Sequence, residues 1–172
     1  MAPAARIQKV DHVAIAVPDM AEAMPLFRDA LGGRFISGGD NDETGLRLMH
    51  LMLPGFKLEL LAPLREDSIV SESLARRGPG FHHMTFFVDD VLATSDDFEA
   101  SGFRTTGTDV SSPNWSETFL RPSDSFGALL QFVSTTREWD VPARDFELED
   151  VLRGRVVWRD YLACLRSAEP MR

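Results

Sequence analysis

Two histidines, His12 and His83, stand at matching points of two similar segments, Val10-Asp11-His12-Val13-Ala14-Ile15-Ala16-Val17 and Phe81-His82-His83-Met84-Thr85-Phe86-Phe87-Val88. The offset between them, 71 residues, also carries Pro18-Asp19 onto Asp89-Asp90. At an offset of 72 residues, Gly55-Phe56-Lys57-Leu58-Glu59-Leu60 overlies Gly127-Ala128-Leu129-Leu130-Gln131-Phe132, so Glu59 and Gln131 form a second matched pair. Two imidazoles and two side-chain oxygens, one of each from each half, suit one divalent cation such as Mn, Co, Ni, Zn or Fe, with positions left open for water or substrate. Any of the four taken alone reads better as a packed or solvent-facing side chain. Their repetition in one register makes a metal site formed by His12, Glu59, His83 and Gln131 the expectation.

The elements that must position these groups follow from periodicity. A strand over residues 7–17 places His12, Ala14 and Ala16 on one face and Val13, Ile15 and Val17 on the other. Asp19 with Glu22 three residues on is a capping-box pattern, and Met20, Met24, Phe27 and Leu31 follow at helical spacing as far as Gly32-Gly33. Strands are expected near 34–38, 45–53 and 56–62, the last two joined by Pro54-Gly55. On the third of these, Lys57, Glu59 and Leu61 share a face, which turns Glu59 toward the side of His12. The second half repeats the order, with a strand at 81–88, a helix from about 91 to 101 and strands near 103–107, 116–121 and 128–134.

The fold class expected is therefore α+β, two tandem βαβββ modules (7–64 and 80–134) cupped around a cleft and joined by a linker helix at 67–77. A non-repeated tail, 135–172, follows. Its stretch from Phe146 to Leu165 looks helical, with Leu148, Val151, Leu152 and Val156 as the apolar stripe.

Composition bounds the function. A chain of 172 residues with 44% hydrophobic and 26% charged residues is an ordinary globular protein, too short for two independent enzyme domains. No apolar run reaches bilayer-spanning length, and Met1 to Arg6 is expected to be too short to act as a secretory apolar region. A single cysteine, Cys164, excludes an intrachain disulfide and makes the cytoplasm the expected location; it reads as a small buried side chain on the tail helix. The formal net charge of −9 argues against nucleic acid as a partner. A small-molecule substrate is expected instead, with Arg47 and Arg121 as candidates to bind an anionic group. The chain is expected to form a homodimer.

Other titratable groups are weighed by strand phase. His82 has the parity opposite to His83, and its counterpart in the first half is Asp11, so it is assigned a supporting role. His50 lies on a strand of ambiguous phase and is either a base in the cleft or an exposed edge residue. Trp115, Trp139 and Trp158 read as packing residues.

These residues resemble the vicinal oxygen chelate superfamily, which includes glyoxalase I, bleomycin and fosfomycin resistance proteins, extradiol dioxygenases and methylmalonyl-CoA epimerases. The resemblance covers about 7–134 and is most similar to the epimerases in Asp11-His12-Val13-Ala14, Leu58-Glu59-Leu60-Leu61-Ala62-Pro63-Leu64, Asp67-Ser68-Ile69-Val70 and Gly80-Phe81-His82-His83-Met84. It implies His12, Glu59, His83 and Gln131 as metal ligands and proton abstraction beside a carbonyl as the chemistry. Gln131 replaces the family's glutamate, which also serves as a base there; an amide accepts no proton at neutral pH. Glu59 is then the candidate base, with His50 the next residue in line. Alternatives of other kinds are an Fe(II) extradiol dioxygenase or glyoxalase-like lyase, an epimerase of a cyclic polyol ketone, and a non-catalytic resistance protein that sequesters its ligand.

Overall fold

The computed structural model describes residues 7–166. Met1 to Arg6 and the last six positions of the tail lie outside the described residues. The order is β1 (Ile7–Ala16), α1 (Met20–Met24, continued as a π-helical stretch Pro25–Ala30), β2 (Arg34–Asn41), β3 (Leu46–Leu53), β4 (Phe56–Pro63), α2 (Ile69–Arg77), β5 (Gly80–Val88), α3 (Val91–Ala100), β6 (Thr105–Asp109), β7 (Ser116–Leu120) and β8 (Leu129–Ser134). Then come α4 (Leu148–Leu152), β9 (Val156–Arg159) and β10 (Leu162–Leu165). The strand, helix and three strands expected from periodicity thus occur twice in an α+β protein with mixed sheet pairing. Among the described residues, no helix is long and apolar enough to cross a membrane.

The chain separates into two compact units, and β1 is divided between them after Ala14. One unit holds Phe81–Trp139 and the described residues up to Ala14. Its strands run in the order β1-β5-β8-β7-β6. The connection from β5 through α3, β6 and β7 brings β8 back parallel to β5, with Thr85 opposite Gln131, while β7 pairs antiparallel with Phe119 opposite Gln131. Alternation then sorts the side chains: Phe132 packs between Phe86 and Phe98 in a core with Val88, Val91 and Leu120, and Gln131 points to the other face. Asp90 caps α3 by accepting from the Ala93 amide at 2.9 Å.

The other unit holds Ile15–Gly80 and the described residues from Asp140 on, with strand order β10-β9-β2-β3-β4. β2, β3 and β4 form an antiparallel meander. Met20 and Met24 of α1 pack with Met49, Leu51, Leu58 and Leu60 of the meander and with Val151 and Val156 of the tail. Full burial of each such side chain contributes about 1.5–3 kcal/mol. Asp19 caps α1 as its spacing predicts, accepting from the Glu22 amide at 2.9 Å. The helix then widens at Pro25, which has no N–H to give, and closes with Leu31 N–H donating to Leu26 C=O at 3.0 Å.

The tail corrects one expectation. Among its described residues only Leu148–Leu152 is helical; β9 and β10 follow, and Cys164 is exposed on a strand rather than buried on a helix. Gly154, at φ +69°, ends the helix with a left-handed residue. The β-branched pair Val156-Val157 then joins β2 in parallel, through Asp40 opposite Val157. Asp160 and Tyr161, both at positive φ, form the two-residue turn into β10. A Cβ on Gly39 would sit 3.2 Å from the Val157 carbonyl carbon, so this glycine lets β9 lie against β2.

Candidate functional site

In the first unit, His12 on β1 and His83 on β5 face each other, their Nε2 atoms 3.3 Å apart and their rings inclined at 72°. Both are buried. The other nitrogen of each ring is held by the side chain that precedes it in sequence. His12 Nδ1 lies 2.7 Å from Asp11 Oδ2, and His83 Nδ1 lies 2.9 Å from His82 Nδ1. Asp11 and His82 are counterparts in the repeat, so the supporting contact is duplicated along with the histidines. Because a carboxylate only accepts, His12 Nδ1 carries a proton toward Asp11, and in the neutral ring Nε2 is a bare lone pair. Two ring nitrogens converging this closely, each oriented by its Nδ1 partner, form a donor set that fits a cation between them.

Gln131 belongs to the same cluster. The Thr85 hydroxyl donates to Gln131 Oε1 at 2.6 Å, and Thr85 Oγ1 is 2.9 Å from His12 Nε2. On its other side, the Gln131 amide nitrogen donates to Glu117 Oε2 at 2.7 Å. Sequence reasoning missed both Thr85 and Glu117. Thr85 shares strand parity with His83, and Glu117 has the parity opposite to the buried Thr118 and Leu120, so alternation gives each its face but not its neighbour.

In the second unit, Glu59 on β4 stands directly opposite His50 on β3, with Glu59 Oε1 3.0 Å from His50 Nε2. Both are buried, so the ambiguous strand phase resolves to the inward choice for His50. Trp158 of β9 packs edge-on to His50, ring centroids 5.7 Å apart. Lys57, on the same face of β4 as Glu59, is buried with its ammonium 3.1 Å from Asp140.

The two arginines have different surroundings. Arg47 forms a fork with Asp40, at 2.6 and 3.0 Å, and donates to the Leu152 carbonyl at 2.8 Å, which ties the tail to β3. Arg121 is exposed just after β7 and donates to Thr106 at 3.0 Å. Trp115 and Trp139 pack edge to face at 4.9 Å, and the Trp115 indole N–H donates to Glu117 Oε2 at 2.8 Å.

A family model described as Glyoxalase/Bleomycin resistance protein/Dioxygenase superfamily matches residues 11–119. Over 129 residues the chain is 33% identical to the ethylmalonyl-CoA/methylmalonyl-CoA epimerase of Cereibacter sphaeroides, spanning 73% of this chain and 96% of that one. Over 132 residues it is 30% identical to the mitochondrial methylmalonyl-CoA epimerase of Mus musculus, 75% of this chain and 74% of the other. Among solved structures it is similar to methylmalonyl-CoA epimerase from Mycobacterium tuberculosis, with a TM-score of 0.69 at 30% identity over 80% of this chain and 94% of that one. It is also similar to a variant of the Streptomyces coelicolor enzyme of the same name in complex with 2-nitronate-propionyl-CoA, with a TM-score of 0.66 at 32% identity over 76% and 99% of the two chains.

Proposed function

We propose a function for this chain, which belongs to the glyoxalase/bleomycin resistance/dioxygenase superfamily: it is a metal-dependent epimerase acting at the α-carbon of a CoA thioester. The observation that carries the reading is the 3.3 Å approach of the His12 and His83 Nε2 atoms with both Nδ1 atoms engaged, in a chain whose relatives are epimerases. His12, His83 and Gln131, through its amide oxygen, would hold the cation; Glu59 is proposed as a further ligand from its place in the sequence repeat alone. When bound, a divalent cation supplies positive charge that stabilises the negative charge left by a departing α-proton.

The rest of the chemistry belongs to side chains. Glu59 is the base: one carboxylate oxygen takes the α-proton while the C–H electron pair moves toward the thioester carbonyl, and inversion follows when the planar carbon turns its other face to Glu59 before the proton is returned. His50 steadies Glu59 by its hydrogen bond to Oε1 and exchanges the captured proton with solvent. Gln131 takes no proton, being an amide. Arg47 and Arg121 remain the candidates for an anionic part of the substrate, Arg121 being the more exposed and Arg47 already meeting Asp40 and Leu152.

The test is deuterium wash-in at the α-carbon of methylmalonyl-CoA and ethylmalonyl-CoA in D2O, read by mass spectrometry. Incorporation of one deuterium that depends on added Co(II) or Mn(II) and disappears in His12→Ala is the expected result. No exchange, together with oxygen uptake on a catechol in the presence of Fe(II), would replace this reading with the oxygenase one.

A further inference from the structure

We propose that Glu117 is a positioning residue that makes Gln131 an oxygen donor toward His12 and the cation; this rests on the function proposed above. A glutamine amide is ambivalent. A half-turn about its last torsion exchanges a carbonyl oxygen for an NH2 of nearly the same shape, and only the neighbours decide which faces where. An NH2 turned toward His12 would present hydrogens where a cation needs a lone pair.

The neighbours of Gln131 decide it without ambiguity. Glu117 Oε2 receives two N–H donors, Gln131 Nε2 at 2.7 Å and Trp115 Nε1 at 2.8 Å. An indole is a donor only, so Trp115 fixes that oxygen as an acceptor, and the oxygen in turn requires the NH2 side of Gln131. The amide oxygen is left facing Thr85, whose hydroxyl donates to it at 2.6 Å and lies 2.9 Å from His12 Nε2. Strand geometry allows the reach. Phe119 is the residue opposite Gln131, and Glu117, two positions along on the same face of β7, meets it diagonally.

The experiment is Co(II) titration of the purified full chain, with affinity from calorimetry and ligand-field changes from the visible absorption of bound Co(II). Glu117→Ala is expected to weaken Co(II) binding about 10–100-fold, the usual effect of losing a group that orients a ligand, and to change the absorption spectrum. Glu117→Gln keeps an oxygen that the Trp115 indole still holds in place, and Trp115→Phe keeps an acceptor-only carboxylate; each is expected to bind within a few-fold of the parent. Together they remove both the acceptor-only carboxylate and the indole donor that orients it, so Trp115→Phe/Glu117→Gln is expected to lose at least about tenfold, well beyond the product of the single effects.

That excess belongs to amide orientation and not to packing, and it remains measurable should Glu117→Ala fail to fold. A double variant that equals the product of its singles, or a folded Glu117→Ala with parental affinity and spectrum, overturns the assignment while leaving the proposed function standing. Absence of Co(II) binding by the unsubstituted protein overturns both.

Discussion

His12 and His83 meet through their Nε2 atoms at 3.3 Å, and each is steadied from behind by the residue before it, Asp11 in one repeat and His82 in the other. The two kinds of residue should therefore respond differently to substitution. His12→Ala and His83→Ala are each expected to abolish binding of Co(II) or Zn(II), since each removes a donor atom. Asp11→Asn and His82→Ala leave both donors present but less well oriented, and should weaken binding about 10–100-fold without abolishing it. Calorimetric titration of the four variants checks this, and loss in His82→Ala with retention in His83→Ala would reverse the roles assigned to the pair.

Glu59→Gln preserves shape and the hydrogen bond to His50 but removes the acceptor for the α-proton. Deuterium wash-in should fall about 10²–10⁴-fold, while the protein stays folded and retains metal. His50→Gln should reduce the rate by less. Exchange that survives in Glu59→Gln at the parental rate would move the base to another residue.

From sequence alone, Gln131→Glu looks like a one-step return to the family's carboxylate. The structure predicts a penalty instead, because the new carboxylate would face Glu117 Oε2 where an N–H now lies 2.7 Å away. Metal-free Gln131→Glu should lose about 1–3 kcal/mol of stability, the cost of a mismatched polar pair at a buried position. The exchanged pair Gln131→Glu/Glu117→Gln restores a donor and an acceptor and should recover most of it. Urea unfolding of the two variants in chelator distinguishes these outcomes.

Arg166 holds the Asp42 carboxyl below its usual range, mainly through its side-chain hydrogen bond to it, against a smaller opposing effect of desolvation. A carboxyl whose folded pKa is depressed contributes stability above its unfolded value, about 3.9, and loses it as pH falls through the folded value. The contribution is small, since both groups are well exposed. Thermal melts of the parent and Arg166→Gln should differ slightly at neutral pH and converge in acid. A difference that grows on acidification would contradict the sign.

The repeat made much of the design legible. The meeting of His12 with His83 is visible because duplication keeps register and strand alternation fixes the face. His50 was undecidable from its own strand, where apolar residues occupy both faces; its direction follows only from standing opposite Glu59. Glu117 escaped notice because its role depends on β7 and β8 being neighbours in a given register, a relation that no local pattern encodes. The tail was misread for a different reason. Leu148, Val151, Leu152 and Val156 fit helical spacing, but Gly154 breaks the helix within that run, and the β-branched residues after it find a strand to join.

That strand has a consequence for how the protein is made. β2 pairs with β9, yet Asp40 and Val157 leave the ribosome with the whole of Phe81–Trp139 synthesised between them. Throughout that interval the outer edge of β2, with Gly38 and Gly39, has no native neighbour and offers unpaired backbone to any extended chain nearby. Closing so long a loop is slow compared with local folding. The nascent chain is therefore most exposed to edge-to-edge association after the meander has formed and before β9 emerges, and shortening it ahead of Val156 would make that vulnerable intermediate permanent.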